Sequence, residues 1–293
     1  MANLLEAIHI IATNQIPDIV EYYRSKNKIN AAGDALELFV KDIFANTVTE
    51  TDETKKAEVY EQVFSYFGNI NNPPDMMLIN GDAIEVKKLE SETATIALNS
   101  SYPSSKLYAN SPMITRTCRQ CEVWTEKDII YAIGCVKKQK LNLLWLIYGD
   151  CYAASREIYE GVKIKIINGI NNIVGVEFNP TKELGRVNRV DPLEITSLRI
   201  RGMWQIEHPH KVYQYLNLEP KKPDKTFRLF ALMREEKYLS FPLASRKKLE
   251  LLGDPAQRVL PHRNFQIRDV KIKSPDNPVK LIAAKLISYA VIN

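Results

Sequence analysis

The sequence lacks any run of apolar residues long enough to span a bilayer. Its first residues carry no basic stretch followed by an apolar core and a cleavage site. Both absences lead to the expectation of a cytoplasmic protein with no membrane partner. Cysteine is scarce, with four in 293 residues: Cys118, Cys121, Cys135 and Cys151. Cys118 and Cys121 have zinc-ligand spacing, but no second Cys pair or paired His follows at a suitable distance. They are read as ordinary thiols in a helix. Cys135 and Cys151 lie in apolar, strand-like runs and are read as small buried hydrophobes. Reduced thiols suit the cytoplasm. The chain also lacks internal repeats and low-complexity tracts.

What is present is an uneven distribution of charge. The net charge of +5 hides an acidic first hundred residues, with 8 Lys+Arg against 16 Asp+Glu. The remainder carries a balance of +13. Such a division suits a protein that holds cations in one place and a polyanion in another.

The first seventy residues read as helical. Leu4, Leu5, Ile8 and Ile11 recur at helical spacing, and Pro17-Asp18 opens a second short helix. A third spans about 32–45, with Leu36, Phe39, Val40, Ile43 and Phe44 on its apolar face. A fourth opens at Thr51-Asp52-Glu53 and carries Val59, Val63 and Phe67 on one side. Strands follow. Residues 75–79 and 83–87 flank Asn80-Gly81-Asp82, a hairpin signal. Residues 129–136 and 143–148 are nearly continuous apolar runs, as expected of central strands buried on both faces. A helix over about 154–168 and strands over 196–204 and 227–233 complete the reading, with 219–225 as a loop or linker. The fold class expected is α/β (α+β), a mixed central sheet flanked by helices.

The chemistry centres on Pro74-Asp75 and, ten positions on, Glu85-Val86-Lys87. Glu85 and Lys87 are two apart and share one face of a strand, while Ile84 and Val86 point to the other. Asp75 joins them only in one register. A two-residue Asn80-Gly81 turn would set Asp75 opposite Val86. A three-residue Ile79–Gly81 loop, with Gly81 left-handed, sets it opposite Glu85. An odd-length loop or a bulge is therefore expected. Two carboxylates and a lysine can hold hard divalent cations and a phosphate together. On the upstream helix, Glu37 is the further candidate acid, with Asp34 second. An equally weighted reading pairs Glu37 only with Lys41, at i+4.

An acid, a short hairpin and then acid-any-lysine is similar to the PD-(D/E)XK nuclease core. The likeness goes further. Residues 72–88 and 97–103, together with 182–193, 199–204 and 271–278, resemble the NgoPII-type type II restriction endonucleases over roughly residues 4 to 287. That resemblance implies a PD-(D/E)XK restriction-endonuclease-like core. It implies Mg²⁺-dependent hydrolysis of phosphodiester bonds in double-stranded DNA at a short palindrome, GGCC for this family. Asp75 and Glu85 become metal ligands, and Lys87 and Glu37 catalytic residues. A cognate DNA methyltransferase is implied as a functional partner. A structure-selective nuclease on the same core, or a non-catalytic DNA-binding protein, are the alternatives.

A palindromic target suggests a homodimer, because the symmetry of the site mirrors that of the protein. Guanine offers two major-groove acceptors to Arg, so the expected readers are Arg186, Asn188, Arg189, Arg199 and Arg201. Asn99, Ser100, Ser101 and Lys106, just after the catalytic strands, are expected to touch DNA near the scissile bond. His208 and His210 are expected in a loop facing phosphate or solvent. A single domain over 1–293 is expected, with a helical part at 1–70, a catalytic core at about 70–180 and a basic recognition and C-terminal part at about 180–293.

Overall fold

The computed structural model describes residues 2–14, 23, 32–69, 72–138, 140–218, 225–254 and 263–292. The helix expected at Pro17-Asp18 and most of the 219–225 linker lie outside them. Helices α1 (Leu4–Thr13), α2 (Ala32–Ala45) and α3 (Glu53–Val63) open the chain. Asn3 caps α1 by accepting Glu6 N–H, and Asp52 caps α3 by accepting from Thr54 and Lys55. Helix α3 ends earlier than the sequence suggests. Val63 closes it, and Phe67 lies in strand β1 (Phe64–Asn69). A four-residue spacing fits the helical period, but Phe64 and Tyr66 are buried in the sheet and the pairing of β1 prevails.

Strands β2 (Asn72–Leu78) and β3 (Ala83–Leu89) follow. After them come the short β4 (Ile96–Ala97) and β5 (Lys106–Tyr108), then the long β6 (Glu126–Lys137) and β7 (Lys140–Tyr148). A one-turn helix α4 (Arg116–Gln120) precedes β6. The later part comprises α5 (Gly149–Tyr152), α6 (Arg156–Asn171), β8 (Glu177–Pro180), β9 (Gly185–Asn188), β10 (Leu198–Ile200), β11 (Gln205–Ile206) and α7 (Pro209–Val212). It ends with β12 (Lys225–Arg234), α8 (Glu235–Ser240), α9 (Leu243–Gly253), β13 (Arg263–Lys273) and β14 (Leu281–Ile292). The strand expected over 196–204 is real only at Leu198–Ile200, and residues 201–204 run outside any strand. Cys151 lies in α5 rather than in a strand, but it is fully buried, as is Cys118.

Among the described residues the central sheet has nine strands. Its order is β1-β2-β3-β6-β7-β12-β14-β13, with β5 on the end of β6. It is mixed: β3 with β6 and β7 with β12 run parallel, and the remaining neighbours antiparallel. Strict alternation divides its residues between two cores. Ile130, Ala132, Leu144 and Leu146 face α1 and α2. Ile129, Tyr131, Ile133, Leu143, Trp145 and Ile147 face the opposite side, with Cys118, Cys151, Tyr213 and Leu216. Helix α2 lies close on β6 at Gly134, where a Cβ would fall 2.6 Å from the tip of Leu36. No helix among the described residues is long and apolar enough to cross a membrane.

His208 departs from expectation. It is fully buried rather than facing phosphate or solvent, and its Nδ1 accepts the His210 N–H at 3.1 Å to cap α7. Burial, helped by nearby His210, depresses its pKa to about 4. A neutral ring is the form that can accept this bond.

Candidate active site

The hairpin between β2 and β3 sets the geometry. Met76 pairs with Ile84 and Met77 with Ala83, and Leu78 N–H donates to Asp82 O at 3.0 Å. The same register carries Asp75 to a place opposite Glu85. The loop is Ile79–Gly81, closed by Gly81 N–H to Leu78 O at 3.0 Å. The odd-length loop is as expected, but the left-handed residue is Asn80 (φ 52°), not Gly81. Asparagine tolerates this region. Gly81 is needed for space instead, since a Cβ there would meet Leu78 Cβ at 2.9 Å.

Beyond Met76 the two backbones no longer pair, and Asp75 Oδ2 accepts the Val86 N–H at 2.6 Å. A carboxylate takes the place of a ladder carbonyl, which fixes Asp75 between the strands. Lys87 Nζ donates to Glu85 Oε1 at 2.6 Å. Glu85 Oε2 is buried and has no hydrogen-bond partner among the described residues. Burial pushes the Asp75 carboxyl up to about 7; the Glu85 carboxylate adds to the shift, and Lys87 and the Val86 N–H oppose it. For Lys87, burial acts to lower the pKa, but Glu85 and Asp75 outweigh it and hold the ammonium above its ordinary value. Glu37 bonds Lys41 at 2.8 Å, and its charge also reaches both Asp75 and Lys87. Asp34 is exposed.

Asp75, Glu85 and Lys87, but neither Glu37 nor Asp34, line a cleft of about 650 Å³. The three share it with Asn99, Ser100 and Ser101, and with Arg199 and Arg201 from the far rim. Its floor includes Tyr131, the partner of Glu85 in β6, whose hydroxyl accepts the Ser104 N–H at 2.7 Å and so pins the polar loop. Backbone bonds from Leu98 N to Trp204 O (2.9 Å) and from Trp204 N to Asn99 O (2.8 Å) tie the loop to the segment after β10. The other expected readers lie elsewhere. Lys106 is outside this cleft, paired with Glu126 at 2.9 Å and Asp128 at 3.5 Å. Arg186 and Asn188 sit on β9 and do not line the cleft, although Arg186 is the cross-strand partner of Arg199 in the small sheet ordered β10-β9-β8. Arg189 is occupied by Glu177 at 3.0 Å.

Glu183 was not among the residues expected here. Its buried carboxylate accepts from Arg201 and Ser100 at 2.9–3.1 Å and pairs with the Arg199 guanidinium at 3.0 Å. No local pattern marks it, because Ser100 is 83 positions away.

Comparison with known proteins agrees with the resemblance read from the motifs. A family model described as the NgoPII restriction endonuclease matches residues 2–273. The curated protein "Type II restriction enzyme NgoPII" of Neisseria gonorrhoeae is 46% identical over 288 residues, covering 98% of this chain and 99% of that protein. No solved structure matches. The chain belongs to the NgoPII restriction endonuclease family and is a type II restriction enzyme, a site-specific deoxyribonuclease.

Proposed function

We propose that the cleft is the DNA-cleaving site and that strands β2, β3, β6 and β7 with α2 form a PD-(D/E)XK core within a single domain. The observation that carries this reading is the register that sets Asp75 opposite Glu85 with Lys87 on the same face of β3, in one cleft with two arginines. Asp75 and Glu85 would hold Mg²⁺. The donor set fits, because Mg²⁺ takes one or two carboxylates and keeps several waters, and Glu85 Oε2 is a buried carboxylate oxygen left without a protein donor. Bound there, the cation neutralises phosphate charge and acidifies a coordinated water. Protonated Lys87, oriented by Glu85, supplies a fixed positive charge toward the scissile phosphate. Glu37 adjusts the charge of both Asp75 and Lys87.

The substrate is double-stranded DNA at a short palindrome, and GGCC is the target that the family implies. A two-fold dimer would match that symmetry, and a cognate methyltransferase would protect host DNA. Asn99, Ser100 and Ser101 would contact the backbone near the scissile bond. Arg199 and Arg201 would read bases, with Arg186, Asn188, Arg189 and Lys106 on flanking phosphates. The test is digestion of unmethylated plasmid with Mg²⁺, beside lanes with EDTA and with DNA methylated at GGCC. Bands at GGCC sites, absent from both controls, are expected. Bands of another pattern would replace the target, and a smear would exclude base-specific cleavage.

Asp75 gives a test that needs no cleavage. Its folded pKa of about 7 lies above the ordinary carboxylate value of about 3.9. Between those values the folded chain binds more protons than the unfolded one, so this group's contribution to stability falls as pH rises from about 4 to about 7. The loss is complete above that. At pH 8, Asp75→Asn should therefore melt about 2–6 °C above wild type without divalent cations. Millimolar Mg²⁺ should raise the melting temperature of wild type and do much less for the variant. Equal Mg²⁺ shifts in the two proteins would remove Asp75 from the ligand set.

A further inference from the structure

Glu183 is an unusual carboxylate for the rim of an open cleft. Its side chain is 6% exposed, whereas Arg199 and Arg201 beside it are 50% and 59% exposed. Both oxygens are taken. Oε2 accepts from Arg201 Nε at 2.9 Å and forms an ion pair with Arg199 Nη2 at 3.0 Å. Oε1 accepts from Arg201 Nη2 at 3.1 Å and Ser100 Oγ at 3.1 Å. These charge-assisted bonds hold the Glu183 carboxyl below its usual range, Arg201 contributing most. With three hydrogen bonds and an ion pair on its two oxygens, Glu183 is unsuited to binding cation or substrate. What it can do is hold its donors still.

The geometry leaves the arginines competent. A guanidinium has five N–H donors in a planar fork. Arg201 spends its Nε–H and one Nη2–H on Glu183, which leaves the end-on pair formed by Nη1 and the second Nη2–H. That pair matches O6 and N7 on the major-groove edge of guanine. Arg199 meets Glu183 only as an ion pair and keeps its fork of donors. A long side chain fixed before binding loses less freedom on contact with DNA. Ser100 joins this cluster to the loop after β4, and the Leu98–Trp204 and Trp204–Asn99 backbone bonds lock the same two segments. The Glu183 carboxylate and these backbone bonds thus join the arginine rim to the polar loop that follows β4.

We propose that Glu183 is the specificity-determining positioning residue of the cleft, presenting Arg199 and Arg201 as fixed guanidinium forks to the guanine edges of the target. This rests on the reading of the cleft as the DNA site. The experiment compares kcat/KM on a duplex carrying the cognate site, as defined by the fragments wild type produces, with duplexes altered at one base pair. Glu183→Gln should lower cognate kcat/KM about tenfold or more and shrink the cognate-to-altered ratio by a similar factor. Glu183→Asp should recover part of that ratio. Arg201→Lys keeps the charge at an exposed position but loses the fork, and it should narrow the ratio equally. The double variant should be no worse than either single one, because the two residues act as a unit. Arg201→Lys carries the test by itself if Glu183→Gln does not fold. Rates reduced alike on every duplex, with the ratio intact, would mean a structural or phosphate-binding role and overturn the proposal. Smeared digestion by wild type would sink base reading itself, whereas discrete digestion with unchanged ratios in the variants would sink this inference alone.

Discussion

Alanine at Asp75, Glu85 or Lys87 should each reduce cleavage by about a thousandfold or more, on the scale of losing a preorganised charge at a reacting centre. The three act as a unit, so combining them should add little to the first loss. Their effects on folding should differ. Glu85→Ala removes an unpartnered buried oxygen and the repulsion on Asp75 but takes the acceptor from Lys87, so its net cost to stability should be modest. Lys87→Ala removes the cation that offsets two buried carboxylates, and should therefore destabilise the metal-free protein more at pH 8 than at pH 5. Single-turnover cleavage on a cognate duplex, with circular dichroism melts at both pH values, checks each point. Full activity in any one variant would strike that residue from the site. The two readings of Glu37 separate in the same assay. If it only pairs with Lys41, Glu37→Ala should leave the rate within about twofold, since exposed i,i+4 pairs are worth a few tenths of a kcal/mol. If its charge at Asp75 and Lys87 matters, the rate should fall further.

Much of this site could be read in the sequence because it is local. Asn80-Gly81 marks the hairpin, and side-chain alternation then requires an odd loop before Asp75 can meet Glu85. The central strands could also be read, since β6 and β7 are buried on both faces and so are continuously apolar. Which loop residue would be left-handed could not be read. Glycine has the freer backbone, but Gly81 is used for its close approach to Leu78 and Asn80 takes the positive φ. The β13–β14 hairpin went unread because β13 sits at the sheet edge, with charged side chains interspersed among the apolar ones. Glu183 and His208 are cases of another kind. Each owes its role to segments distant in sequence, and neither carries a local signature that separates it from a surface Glu or a loop His.

Asp42 shows the same long-range dependence with the largest expected cost to folding. It is fully buried on α2 and accepts from Tyr23 Oη and Thr47 Oγ1 at 2.6 Å, Lys56 Nζ at 2.7 Å and Tyr60 Oη at 2.5 Å. Lys56 is itself 3% exposed. Asp42→Ala leaves that ammonium uncompensated in the interior, together with two phenols and a hydroxyl, and should cost about 3–5 kcal/mol. That is a large part of the 5–15 kcal/mol typical of a whole domain. Asp42→Asn keeps the shape and an acceptor but not the charge, and should cost less. Replacing both partners, as Asp42→Ala with Lys56→Met, should recover part of the loss, because much of the cost is the stranded charge rather than the missing bond. The consequence reaches the cleft through α2, which carries Glu37 and seats Leu36 against Gly134 of β6, next to strand β3 with Glu85 and Lys87. Cleavage at low temperature should survive in Asp42→Ala while the urea midpoint drops, since none of its partners lines the cleft. An unfolding free energy within about 1 kcal/mol of wild type would mean that water or a shifted side chain takes over the ammonium, and that this buried network does not anchor α2 and α3.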